Sequence, residues 1–198
     1  MGCFFESVNM DTAPLYKNTY RVPSTRWRGW DYSANGVYFI TICTKDRQCF
    51  FGFIKDRAMH YTELGVQSGS CWLDIPNHFP FVTIDEFVVM PNHVHGVLHI
   101  NKRKDPIVEA QGVAHLQRYT PTWKMNEFGV QSGNLASIVR GYKIGVTMYA
   151  KMNNLSFAWQ SRYHDHVIRD EFELNRIRKY IRENPQNWED DDLHVSRE

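Results

Sequence analysis

Two histidines spaced one residue apart, inside an otherwise apolar run, are the first residues in this chain that suggest chemistry. The run is Phe87-Val-Val-Met-Pro-Asn-His-Val-His-Gly-Val-Leu-His-Ile100, two strand-like segments broken by a Pro-Asn turn. Side chains alternate faces along a strand. His93 and His95 therefore point the same way, roughly 7 Å apart at Cα for a rise of about 3.3 Å per residue. Imidazoles at that separation can converge on one divalent ion, with N–metal distances of about 2.1 Å. Taken alone, the pair fits equally well two polar residues on the open face of a half-buried strand.

The second chemical element lies near the C-terminal end. Asp170 followed by Glu173 is a helix N-terminal signal, and Leu174, Ile177 and Ile181 give that helix a buried edge. Asn184-Pro185 ends it, because the residue before proline is pushed out of helical geometry. Tyr180 and Asn184 are four residues apart, so they share a face, and Arg176 lies on the same side. An unperturbed phenol has a pKa of about 10, which leaves on the order of one in a thousand ionised at neutral pH. A tyrosine with an amide one turn below it is unremarkable in isolation. Other candidates are discounted. Tyr142 falls on an apolar stripe, which argues core, and Tyr163 has no such helical partner. His99 shares the parity of the histidine pair but lies about 13 Å from His95 by strand rise, so it reads as a surface residue. His164-Asp-His166 is placed in the approach to the last helix and given a structural role.

The elements that must position these groups follow in order. Val37 to Thr44 is a strand by its β-branched and aromatic content. Phe50 to Ile54 and Ala58 to Tyr61 form a short hairpin. Thr62 caps a helix to about Leu73, with Pro76 ending it. Phe81 to Met90 and Val94 to Ile100 are the next strands. Leu135 to about Met152 is a helix whose stripe is Leu135, Ile138, Tyr142, Val146 and Tyr149. Arg140 and Lys143 lie off that stripe, where phosphates or solvent can meet them. The chain divides into a basic and aromatic arm over 1–35, a main domain over 36–188 with an insertion at about 101–131, and an acidic tail over 189–198.

A length of 198 residues, 42% hydrophobic and 14% aromatic, suits one globular domain with extensions. No apolar run approaches a membrane span. Cys3, Cys43, Cys49 and Cys71 lack a Cys-x-x-Cys pairing and read as reduced thiols of a cytoplasmic protein. The formal net charge is +1, but the tail holds five acids against one base, so the remainder is basic. Lys17, Arg21, Arg26, Arg28, Lys45 and Arg47 outnumber Asp31 and Asp46, with Tyr20, Trp27, Trp30 and Tyr32 interleaved. That mixture can grip phosphates and stack on bases, or form a solvated arm whose long side chains snorkel.

Asp31-Tyr-Ser, Tyr38-Phe-Ile-Thr-Ile, Val88-Val-Met-Pro-Asn-His-Val-His, Ile138-Val-Arg-Gly-Tyr-Lys143, Trp159-Gln, His166-Val-Ile-Arg-Asp and Tyr180-Ile-Arg-Glu-Asn-Pro185 together resemble the REP-associated tyrosine transposases, an IS200-like branch of the single-tyrosine HUH endonucleases. The resemblance spans most of residues 20–188. It implies an α+β fold, a ferredoxin-like or RRM-like antiparallel sheet with helices packed on it. It implies a metal-dependent enzyme that nicks and rejoins single-stranded DNA beside hairpins, through a 5′-phosphotyrosine on Tyr180. It also implies that His93 and His95 hold Mg²⁺ or Mn²⁺ with Asn184 as third ligand. Two imidazoles and an amide are not the all-oxygen set magnesium prefers, so manganese fits at least as well. Arg26, Arg28, Asp31 and Tyr32 match the segment that reads a short guide sequence, and Arg176 is assigned to offset phosphate charge. The expected partner is single-stranded DNA with a hairpin, bound by a monomer or a homodimer. The alternatives are a hairpin-binding protein that does not cut, and an unrelated histidine-based metallohydrolase.

Overall fold

The computed structural model describes residues 30–102 and 133–194. Arg26 and Arg28, most of the 1–35 arm and nearly all of the 101–131 insertion lie outside the described residues. The elements are β1 (Gly36–Cys43), β2 (Gly52–Lys55), β3 (Ala58–Tyr61), α1 (Glu63–Leu73), α2 (Ile75–His78), β4 (Val82–Val89), β5 (His93–Ile100), α3 (Leu135–Met152), β6 (His164–Ile168) and α4 (Glu171–Glu183), followed by a 3₁₀ segment, Asn184–Asp190.

Four strands form one sheet in the order β4-β5-β1-β6, every neighbouring pair antiparallel. With α1 and α3 as crossovers, β1-α1-β4 and β5-α3-β6 interleave as two split βαβ units, the ferredoxin-like arrangement expected. β2 and β3 form a separate hairpin. The helix starts are set by side chains. Thr62 accepts from the Gly65 amide, Asn134 and Ser137 cap each other reciprocally, and Asp170 accepts from the Glu173 amide.

One reading needs correction. His164–Ile168 is the fourth strand rather than the approach to a helix, pairing with the edge of β1 so that Phe39 faces His166 and Thr41 faces His164. Three polar residues in five hid the strand signal. The partner edge of β1, which no local pattern reveals, supplies the reason for the extended conformation.

The sheet is buried on both sides. Tyr38, Ile40, Ile42, Val94, Leu98 and Ile100 pack with Trp72 of α1 and with Leu135, Ile138, Val139, Tyr142 and Val146 of α3. On the opposite face Val37, Val97 and Ile168 pack with Leu174, Ile177 and Ile181 of α4. Fully burying a side chain of this size contributes about 1.5–3 kcal/mol. Gly96 is needed where β5 meets α1: a Cβ there would lie 2.2 Å from the Trp72 ring.

Polar contacts fasten α4 in register. At a bulge in β4, Asp85 accepts two hydrogen bonds from Arg178, at 2.8 and 2.6 Å, and one from His99 at 3.0 Å. Arg182 reaches Glu86 at 3.1 Å. The Arg178 bonds hold the Asp85 carboxyl down at about 2. His99 is therefore spent on this fastening. Among the described residues no helix is long and apolar enough to cross a membrane, and Cys43 and Cys71 are free thiols.

Two substitutions test this packing. Gly96→Ala should destabilise the fold by about 1–3 kcal/mol through overpacking against Trp72, read from urea midpoints. Arg178→Met should cost about 1–3 kcal/mol at pH 7. A carboxyl depressed in the fold contributes stability that is present above its unfolded pKa and lost as pH falls through the folded one. The gap between the two proteins should therefore narrow as pH drops from near 4 toward 2.

Candidate active site

Parity along β5 decides the site. Val94, Gly96 and Leu98 face α1 and α3, so His93, His95 and Val97 face α4. The two imidazole centroids lie 4.4 Å apart, and both residues are buried. Each ring is oriented through Nδ1. The Asn92 amide nitrogen donates to the Arg47 and Leu193 carbonyls, at 3.2 and 2.8 Å, which leaves its oxygen to accept from His93 Nδ1 at 2.8 Å. His93 Nε2 therefore carries the lone pair, and it is buried with no hydrogen-bond partner. His95 Nδ1 meets Thr41 Oγ1 at 2.8 Å, across the strand pair.

Tyr180 arrives from the opposite side. Because Leu174, Ile177 and Ile181 bury one stripe of α4, the residue before Ile181 lies at the margin of the packed face. Its hydroxyl is 3.1 Å from His95 Nε2 and 3.4 Å from Asp191 Oδ2. The ring stands edge-on to Phe39, with centroids 6.2 Å apart, and 45% of the residue is exposed. One turn on, Asn184 is 2% exposed. Its amide nitrogen donates to Asp191 Oδ2 at 2.8 Å, and its oxygen is buried without a partner. Trp188 covers His93, with centroids 5.9 Å apart.

The electrostatics follow from burial. His93 is held well below the ordinary imidazole range by desolvation, reinforced by His95 and Arg47. Desolvation likewise brings His95 down to about 4. Tyr180 is pushed up to about 12, first by burial and then by the negative charge of Asp191. The site thus presents neutral imidazoles, a protonated phenol and a carboxylate. His93 Nε2 and Asn184 Oδ1 are both acceptors with no donor to meet. Leaving such groups unmatched costs on the order of 1–3 kcal/mol each, and a cation removes that cost. His93, His95 and Asp191 bring their ligating atoms within 4.8 Å of one another. The residues fit a divalent ion.

His93, His95, Tyr180 and Asn184, named from sequence, thus come together. Of the candidates for contacting DNA, Arg140 and Lys143 sit on α3, behind the sheet, and Arg26 and Arg28 lie outside the described residues. Lys143 donates to the carbonyls of Gln160 and Arg162, at 2.8 and 3.1 Å, and burial lowers its pKa to about 8. Tyr32 is 6% exposed and packs on Tyr38 within the core. Asp31 closes a turn by accepting from the backbone and hydroxyl of Ser33. Arg176 is exposed, one helical turn before Tyr180, 3.8 Å from Glu173. His166 bonds Glu173 at 2.8 Å and stays out of the site. Sequence reading missed Asp191, set among four consecutive acids with nothing local to single it out. It also missed Asn92 and Thr41, which orient the histidines.

No family model matches the sequence. An uncharacterised protein of Haemophilus influenzae is 41% identical over 173 residues, 87% of this chain and 92% of that protein. A second Haemophilus influenzae protein, provisionally named a REP-associated tyrosine transposase, is 25% identical over 155 residues, 78% of this chain and 73% of its own. Two solved structures align: a REP-associated tyrosine transposase bound to a REP hairpin (18% identical, TM-score 0.49, 77% of this chain and 68% of that one), and a Deinococcus radiodurans protein provisionally called a transposase (16% identical, TM-score 0.43, 79% and 95%).

In metal-free protein, ring shifts followed by NMR should show His95 neutral down to about pH 4. A base whose pKa is lowered by folding contributes stability above its unfolded value near 6.5 and loses it as pH falls. Stability should therefore decline between pH 6.5 and 4, and a normal His95 titration would contradict the burial described.

Proposed function

We propose that this chain, which belongs to one family with the 41%-identical Haemophilus influenzae protein and is similar to a REP-associated tyrosine transposase, is a metal-dependent DNA strand-transfer enzyme. Its substrate is single-stranded DNA beside a hairpin, and Tyr180 is its nucleophile. One observation carries the reading: the Tyr180 hydroxyl stands 3.1 Å from His95, at a site where His93 Nε2 and Asn184 Oδ1 are buried without partners. A structural tyrosine needs no unmatched acceptors beside it.

His93, His95 and Asn184 would hold a Mg²⁺ or Mn²⁺ ion, which would supply Lewis-acid polarisation of the scissile phosphate. The protein's part is positional and electrostatic. Tyr180 Oη forms a bond to phosphorus, the bond to the 3′-oxygen breaks, and the products are a 5′-phosphotyrosine and a free 3′-hydroxyl. The phenol proton leaves to solvent and the departing oxygen takes one up. The covalent link conserves the phosphodiester for rejoining. Ionising a phenol held near 12 at pH 7 costs about 7 kcal/mol, which the cation and nearby basic groups must offset. Arg176, exposed one turn from Tyr180, is placed to meet a phosphate.

Incubation with single-stranded hairpin oligonucleotides and Mn²⁺ should give a protein–DNA adduct that survives a denaturing gel. Tyr180→Phe should abolish the adduct while DNA affinity changes by less than about threefold, because the hydroxyl is not used to bind. His93→Ala should lower adduct formation by roughly a hundredfold or more. Adduct formation by Tyr180→Phe would exclude this nucleophile. Binding without any adduct would favour a recognition protein that does not cut.

A further inference from the structure

We infer that Asp191 is a carboxylate ligand of the cation held at His93 and His95, which makes the segment after α4 part of the metal site rather than a solvated tail. The inference rests on the metal-dependent reading above. It adds a residue that neither the sequence motifs nor the expected ligand set contains.

Charge is the first argument. Two imidazoles and an amide are all neutral, and His93 and Asn184 are 0% and 2% exposed. A divalent ion among them would bring its full charge into a desolvated place, and hard cations of this kind favour carboxylate oxygens. Among the described residues, Asp191 is the one acid that groups with the pair, its oxygen and a nitrogen of each histidine lying within 4.8 Å of one another. Among the described residues no lysine or arginine pairs with it; its oxygens accept from the Asn184 amide, the Tyr180 hydroxyl and the Leu193 amide, so no basic side chain offsets its charge.

Its preparation is the second argument. Asp191 Oδ1 accepts from the Leu193 amide at 2.7 Å, and Oδ2 from the Asn184 amide nitrogen at 2.8 Å. Asn184 thereby aims the carboxylate while its own oxygen is left buried and unmatched on the same site. The surrounding segment is pinned to the mouth of the sheet. Arg47 Nη1 donates to the Asp192 carbonyl at 2.8 Å, and the amide nitrogen of Asn92 donates to the Leu193 carbonyl at 2.8 Å. Asn92 is also the residue that orients His93. One amide therefore sets both a histidine ligand and the strand of chain bearing the acid. Trp188, 8% exposed, packs against His93 with ring centroids 5.9 Å apart.

Mn²⁺ binding to the full-length protein, measured by calorimetry and by loss of the free-ion EPR signal, tests this without reference to cleavage. Asp191→Asn keeps the shape and removes the charge, leaving one oxygen to accept where two do now. It should weaken binding about tenfold or more. Asp192→Asn, in the same segment with only its carbonyl engaged, should bind like the unaltered protein. Circular dichroism and a thermal melt on each variant check that the fold is retained. Unchanged affinity in Asp191→Asn, alongside a large loss in His93→Ala, would overturn the role of Asp191 and leave the metal-dependent reading standing. Equal binding by the unaltered protein and His93→Ala would overturn both.

Discussion

A β-strand sorts its residues by parity, and here that sorting separates structure from chemistry. Along β5 the odd positions, His93 and His95, go to one face. The even positions, Val94, Gly96 and Leu98, go to the other, where Trp72 presses so closely that Gly96 has no room for a Cβ. A slip of one residue would bury the imidazoles among the α1 and α3 side chains and turn Val94 toward Tyr180. The bond of Thr41 to His95, the seat of α4 and the reach of Tyr180 all depend on that register. Tight packing on the far face is thus what holds the histidines in position on the near one.

The site built on this register is rich in acceptors and poor in donors. Burial keeps both imidazoles uncharged and the phenol protonated, while a carboxylate stands beside them. Such a collection is unfavourable on its own, which is why the fastening of α4 matters. The Asp85–Arg178 pair, the Arg182–Glu86 contact and the apolar stripe Leu174, Ile177 and Ile181 hold the tyrosine helix against the sheet. The histidines of β5 and the tyrosine of α4 are thus held by contacts from the strands beside them.

Much of this was legible in the sequence, and what was not has physical reasons. The strands β1, β4 and β5 and the helices α1, α3 and α4 follow from periodicity and capping residues, which act within a few residues of chain. His93, His95, Tyr180 and Asn184 could be named because strand alternation and helical spacing fix which side chains share a face. β6 was hidden because His164, Asp165 and His166 carry no apolar alternation, and only the free edge of β1 makes them a strand. Asp191 was hidden because its role depends on where the chain turns after Pro185. The surroundings of Tyr32 and Lys143 were not legible, because aromatic and basic residues look alike in sequence whether they meet DNA, a core or a carbonyl.

The account turns on two imidazoles and a phenol from separate elements facing one cation. Anomalous diffraction from crystals grown with Mn²⁺ addresses that directly. The expected result is a single peak about 2.1 Å from His93 Nε2 and from an imidazole nitrogen of His95, beside the Tyr180 hydroxyl. No peak there, or one that leaves His93 Nε2 unligated, would contradict it.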